Sequence, residues 1–167
     1  MVLILCLLMT PYLIAVNGVE DNNSCTTVTE DGVIDLRPLA NNDSSPRFMD
    51  VTKDKEATLR FSWNPCFNFD EQGCHQVELC ELTPHFDLSY SLGNSTQASF
   101  IQDPSLGLVL AYNVSDIYDR RTSVIQLICD VNEEGSFKVV EDEPSQQYNF
   151  ILRSKHCCPK TQSKRST

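Results

Sequence analysis

Apolar and polar side chains alternate with a period of two along much of this chain. In Ala57-Thr58-Leu59-Arg60-Phe61-Ser62-Trp63 the alternation has no miss. Phe86, Leu88, Tyr90 and Leu92 alternate with Asp87, Ser89 and Ser91, and Leu106, Leu108, Leu110 and Tyr112 share one face of another segment. Such spacing puts successive side chains on opposite faces of a half-buried strand. Val124 to Ile128 is apolar on both faces except for Gln126, which predicts a strand covered on both sides. Phe137 to Val140 and Tyr148 to Leu152 are two further strands. Helical periodicity is nearly absent, and no repeat or low-complexity linker is present. Turn residues fill the gaps at Asn41 to Pro46, Asn64-Pro65, Gly93-Asn94, Asp103-Pro104 and Glu143-Pro144. The pattern predicts an all-β fold of seven to nine short, mostly antiparallel strands, packed as a flattened barrel or sandwich.

The N-terminus breaks this rhythm. Val2 to Val16 is an apolar run interrupted only by Thr10, Pro11 and Tyr12, and the chain turns polar at Asn17. Its length suits a signal-peptide core better than a membrane span. The small residues Val16 and Gly18 predict cleavage after Gly18, so residues 1–18 form a leader. A basic n-region is missing, which keeps an uncleaved anchor as the alternative. No later segment is long and apolar enough to cross a bilayer. Residues 19–30 read as a polar arm, 25–160 as one β domain, and 161–167 as a disordered basic tail.

The chain of 167 residues contains eight cysteines, and the leader would remove Cys6. Seven remain in the mature chain, which implies three bridges and one leftover thiol at Cys157 or Cys158. Four glycosylation triplets begin at Asn22, Asn42, Asn94 and Asn113, all in turn-like sequence. Leader, cysteines and triplets together predict a glycoprotein of the secretory lumen (endoplasmic reticulum, Golgi or endolysosome) or a secreted one. The formal net charge of −10 argues against nucleic acid as a partner, because phosphate backbones require clustered Lys and Arg. The basic run from Lys155 to Arg165 is short and terminal, and reads as a solvated end.

Several segments, taken in order, resemble a mannose-6-phosphate receptor homology domain. They are Gly32 to Leu39, Phe61-Ser62-Trp63-Asn64-Pro65-Cys66, the pair Cys74 and Cys80, and Leu92-Gly93. After them come Leu108 to Tyr112, the strand Arg120 to Asp130, and Tyr148 to Pro159 with its closing Cys-Pro. The resemblance covers about Cys25 to Pro159. It implies the bridges Cys25–Cys66, Cys74–Cys80 and Cys129–Cys158, leaving Cys157 unpaired as a route to a covalent protein partner. A fourth bridge usual in the family would fall near Asp116 and at Gln146, and both cysteines are absent together.

The resemblance also implies a sugar site. Mannose-binding members use Gln, Arg, Glu and Tyr, because a ring of hydroxyls needs directed donors and acceptors held rigidly. Arg121, eight residues before Cys129, matches the arginine, while Arg120 faces the other way. Tyr148, ten residues before Cys158, matches the tyrosine. Glu143 is the best match for the glutamate, with Glu141 as understudy. The glutamine position is occupied by Glu81, and Gln76 would need a register shift. An ionised glutamate only accepts, and beside Arg121 it competes with the ligand. The expected partners are N-linked high-mannose glycans or glycoproteins, with neutral mannose favoured over phosphomannose by the acidic stretch at Glu141 to Glu143.

This reading makes the chain a non-enzymatic, mannose-recognising domain of glycoprotein or lysosomal-enzyme sorting or quality control, with weakened sugar binding. Without a membrane span it would act as a soluble form, a partner of a membrane protein, or a piece of a longer product. The alternatives are a protein-interaction module of the same fold or the recognition subunit of a glycan-modifying enzyme. His75, His85 and His156 lie in different segments, and no serine elbow or phosphate loop is present. Cys74-His75 and His156-Cys157 suggest zinc only weakly in an oxidising lumen, so neither cofactor nor metal is expected.

Overall fold

A computed structural model describes residues 25–83, 88–115, 120–141 and 147–161. The expected leader with Cys6, the Asn22 triplet, His85, Glu143, the Asp116 and Gln146 positions, and nearly all of the basic tail lie outside the described residues.

Thirteen strands run in chain order among the described residues. They are β1 (Thr26–Thr29), β2 (Gly32–Asp35), β3 (Phe48–Val51), β4 (Arg60–Trp63), β5 (Phe69–Glu71), β6 (Cys74–Val77) and β7 (Leu79–Thr83). The remainder are β8 (Leu88–Gly93), β9 (Ala98–Asp103), β10 (Gly107–Ser115), β11 (Arg120–Cys129), β12 (Ser136–Glu141) and β13 (Gln147–Ser154). Short 3-10 turns follow at Arg37–Leu39 and Lys155–Cys157. A five-stranded sheet has the order β12-β13-β11-β10-β9, and a four-stranded sheet the order β3-β4-β7-β8; β1-β2 and β5-β6 are separate hairpins. Pairing is antiparallel throughout except between β11 and β13.

The two larger sheets pack face to face, which is the sandwich form of the expected architecture. Aromatic rings from both sheets meet across the interior. Phe61 lies 5.2 Å from Phe150 and Trp63 lies 4.8 Å from Phe137, centroid to centroid. Leu36, Leu79, Leu92, Leu110, Tyr112, Ile125 and Leu152 fill the same core. Aromatic pairs at such distances add about 0.5–1.5 kcal/mol beyond area burial.

The strand number exceeds the expected seven to nine because several strands carry no two-period signal. β7 reads Leu79-Cys80-Glu81-Leu82, and all four are buried. Its second face is covered by a satellite cluster of Phe69, Cys74, Val77, Cys80 and Leu82 around the β5-β6 hairpin. Ala57 to Leu59 lie outside β4 despite their alternation, and Ser62, polar in sequence, is fully buried. The Ser62 hydroxyl accepts from the Asp50 N–H at 3.1 Å and donates to Glu71. Part of the expected polar arm is ordered too: Thr26–Thr29 is β1, paired with β2.

Three bridges staple the sandwich: Cys25–Cys66, Cys74–Cys80 and Cys129–Cys158. Each such bridge contributes about 2–4 kcal/mol by restricting the unfolded chain. Cys157 is free and buried at 3% exposure, and burial pushes its thiol up to about 12. This corrects the expected covalent partner. A thiol enclosed in the core and kept protonated has neither the access nor the nucleophilicity to bridge a second chain.

Candidate functional site

Two inward-facing rows on neighbouring strands end at the same edge of the sandwich. On β11 the positions Ser123, Ile125 and Leu127 are buried, and Arg121 continues that row to the strand start. Arg120, one residue earlier, is exposed, as strand alternation requires. On β13 the inward row is Tyr148, Phe150 and Leu152. The parallel register sets Tyr148 opposite Ser123. The Arg121 and Tyr148 side chains therefore emerge on the same side of the sheet.

The facing sheet supplies the third group. Glu81 pairs with Phe61 on β4 and with Tyr90 on β8. It shares the core-facing side of β7 with Leu79, while Cys80 and Leu82 face the satellite cluster. Glu81 is 5% exposed and Tyr148 is 8% exposed, so both carry their polar atoms into the end of the core. The Tyr148 hydroxyl donates to the Glu81 carboxylate and accepts from the Arg121 guanidinium. The Tyr148 phenol is held well above its ordinary value, first by burial and then by Glu81, against a smaller pull from Arg121.

Tyr90 completes the group. The Arg121 guanidinium carbon lies 4.3 Å from the centroid of the Tyr90 ring, within cation–π range. Tyr90 and Arg121 are both half-buried. They form the wetter side of a cluster whose inner side is Glu81 and Tyr148. Sequence reasoning placed Tyr90 on a strand and gave it no role in the site. The signal available was hairpin register: Tyr90 stands directly opposite Glu81.

Of the remaining expected positions, Glu141 closes β12 opposite Asn149. Gln76 is exposed on β6, where its N–H donates to Asp70 at 2.7 Å. Of the two zinc suggestions, Cys74 is consumed by its bridge, and His156 is buried with Nε2 3.1 Å from Glu134 Oε1. Among the described residues no group of three or more His, Cys, Asp or Glu is placed to hold a metal, and no helix is long and apolar enough to cross a membrane. Asn42 and Asn113 are exposed, while Asn94 is half-buried and accepts from the Thr96 N–H and hydroxyl at 3.0 and 2.7 Å.

A second buried tyrosine–glutamate pair lies deeper in the sandwich. The Trp63 indole N–H donates to the Tyr112 oxygen at 3.1 Å, and the Tyr112 hydroxyl donates to Glu78 Oε2 at 2.7 Å. Trp63, Tyr112 and Glu78 are fully buried. The ring reaches this place because β8 has glycine at 93; a Cβ there would sit 2.4 Å from Tyr112 ring carbons. This cluster has no route to solvent and holds the two sheets together.

No protein-family model matches the chain, and no curated protein matches it. Among solved structures it is similar to the MRH domain of Yos9, solved in solution as a complex with alpha3,alpha6-Man5. The identity is 14%, the match covers 63% of this chain and 74% of that one, and the TM-score is 0.39.

Proposed function

We propose that this chain is a luminal or secreted mannose-recognising domain of the mannose-6-phosphate receptor homology type, with weakened sugar binding, acting in glycoprotein sorting or quality control. The observation that carries the reading is the convergence of Arg121, Tyr148 and Glu81 at one edge of the sandwich. A guanidinium fork and a carboxylate, both hydrogen-bonded to one phenol, form the kind of donor and acceptor set that a neutral hexose needs. Glu143 is the proposed fourth group.

Weak binding follows from the same contacts. The Glu81 carboxylate already takes the Tyr148 hydroxyl, and the Arg121 guanidinium already stacks on Tyr90. A sugar must displace these contacts and repay them. A glutamine at 81 would return a donor to the site and remove the negative charge. A glycan array on the oxidised protein tests the reading beside Arg121→Ala and Glu81→Gln. Terminal mannose structures should give signal with the native chain, none with Arg121→Ala, and about three-fold more with Glu81→Gln, worth roughly 0.6 kcal/mol. Equal signals from the native chain and Arg121→Ala would remove the lectin reading.

The second reading is a protein-interaction module of the same fold without a sugar site. The internal satisfaction of Tyr148 by Glu81 and Arg121 favours it. An array silent for the native chain and for Glu81→Gln alike would select it.

A further inference from the structure

A cavity of about 460 Å³ opens between the loop after the Arg37–Leu39 turn and the β5-β6 hairpin, lined by Asn42, Ser44, Phe67, Asn68 and Gln76. Its size falls in the range of about 300–1,000 Å³ found for ligand pockets. Its chemistry is one aromatic ring, 41% exposed, surrounded by three side-chain amides and a hydroxyl. It shares no residue with the Arg121 and Tyr148 site.

The walls are preorganised. Asn64 is fully buried and ties one wall to the other. Its Oδ1 accepts from the Asn41 N–H at 2.9 Å, and its Nδ2 donates to the Asn41 and Phe67 carbonyls at 3.1 and 3.0 Å. The residue before Phe67 is bridged to Cys25, and Cys74, two residues before Gln76, is bridged to Cys80. Ser44 and Gln76, one in each wall, sit at φ 63° and 54°. Left-handed backbone at a non-glycine residue is strained and persists only where the surroundings enforce it.

One wall residue, Asn42, is exposed and begins the triplet Asn42-Asp43-Ser44. We infer that this cavity seats the first N-acetylglucosamine of a glycan carried on Asn42 itself. The linkage delivers the sugar to the cavity mouth, so the association costs little entropy. The apolar face of a pyranose fits the exposed Phe67 ring. Its acetamido group and hydroxyls fit amides that donate and accept together. Asn68 already accepts from the Ser95 N–H through its Oδ1, at 3.4 Å, so its amide protons are the part available to a sugar oxygen. The seated sugar would cover Phe67 and brace the two walls.

The test uses the full chain secreted from glycosylating cells and trimmed enzymatically to a single N-acetylglucosamine at each occupied site. Thermal unfolding is measured for the native chain, Asn42→Gln, Phe67→Ala and the double variant. Each single change should lower Tm by about 2–4 °C, and the double variant should fall no further than the worse single. The acetyl methyl resonance of the Asn42 sugar should be shifted by the Phe67 ring and return to its free-sugar position in Phe67→Ala. Intact mass showing Asn42 unmodified, additive Tm losses, or an unshifted methyl signal would each overturn the inference. None of these outcomes depends on whether the domain binds mannose.

Discussion

Two tyrosines in this sandwich donate to buried glutamates, and their surroundings give them opposite meanings. Tyr112 and Glu78 are sealed in mid-core, with the Trp63 indole as the third member. Tyr148 and Glu81 stand at the sandwich edge, with Arg121 and the Tyr90 ring between them and water. In both places burial and a neighbouring carboxylate keep the phenol protonated well above its ordinary value. The edge pair has the half-buried cation Arg121 beside it, and Tyr112 and Glu78 are sealed at 0% exposure. The same chemical unit is a structural pin where solvent is absent and a candidate binding element where a ligand can reach it.

The largest expected effect is the one that breaks this symmetry. Tyr112→Phe leaves the Trp63 N–H without its acceptor and removes a donor from fully buried Glu78, a loss of about 3 kcal/mol by equilibrium unfolding. Tyr148→Phe should cost only about 1.5 kcal/mol, since Arg121 remains beside Glu81, yet it should abolish mannose signal. Equal losses of stability from the two variants would end the distinction. Arg121→Lys sharpens it. The charge remains, but the fork and the guanidinium contact over the Tyr90 ring are lost, so mannose affinity by calorimetry should fall about tenfold while the unfolding midpoint moves little.

The smallest effect concerns a third carboxylate, Glu71, whose hydrogen-bond donor is the Ser62 hydroxyl. Burial and Asp50 hold its carboxyl above the ordinary value, against a hydrogen bond from Ser62. Between the ordinary carboxylate value and the raised folded one, the folded chain keeps on Glu71 a proton that the unfolded chain has released. Stability falls as pH rises from the ordinary carboxylate value through the raised folded one. Glu71→Gln should remove that fall. The variant should be slightly more stable than the native chain at pH about 7 and equal to it below pH about 4. A difference that persists at low pH would assign the effect to packing.

The all-β character was legible because β4, β8, β10, β11 and β13 each have stretches with an apolar row on one face. The strands that escaped were those whose environment, not whose pattern, makes them strands. β7 is buried on both sides because the β5-β6 hairpin packs behind it. β1, four residues of Thr and Val, gains its order by pairing with β2. Arg121 and Tyr148 were legible through the family resemblance, which their spacing from Cys129 and Cys158 located. Tyr90 was not, since its place opposite Glu81 depends on how β8 turns back on β7.

Side-chain period, cysteine spacing and the polar residues at the strand starts are local properties, so the chain's own order carries them. That was enough for a disulfide-stapled β fold and, through the family resemblance, to single out Arg121, Tyr148 and Glu81 for the candidate site. Which carboxylate meets which phenol depends on how two sheets stack and on the register of strands far apart in sequence. Tertiary packing alone placed Glu81 against Tyr148, put Arg121 over Tyr90, and closed Cys157 into the core. The reason is physical: solvent access and the distance between charges are properties of the assembled interior, and no residue possesses them before the sheets meet.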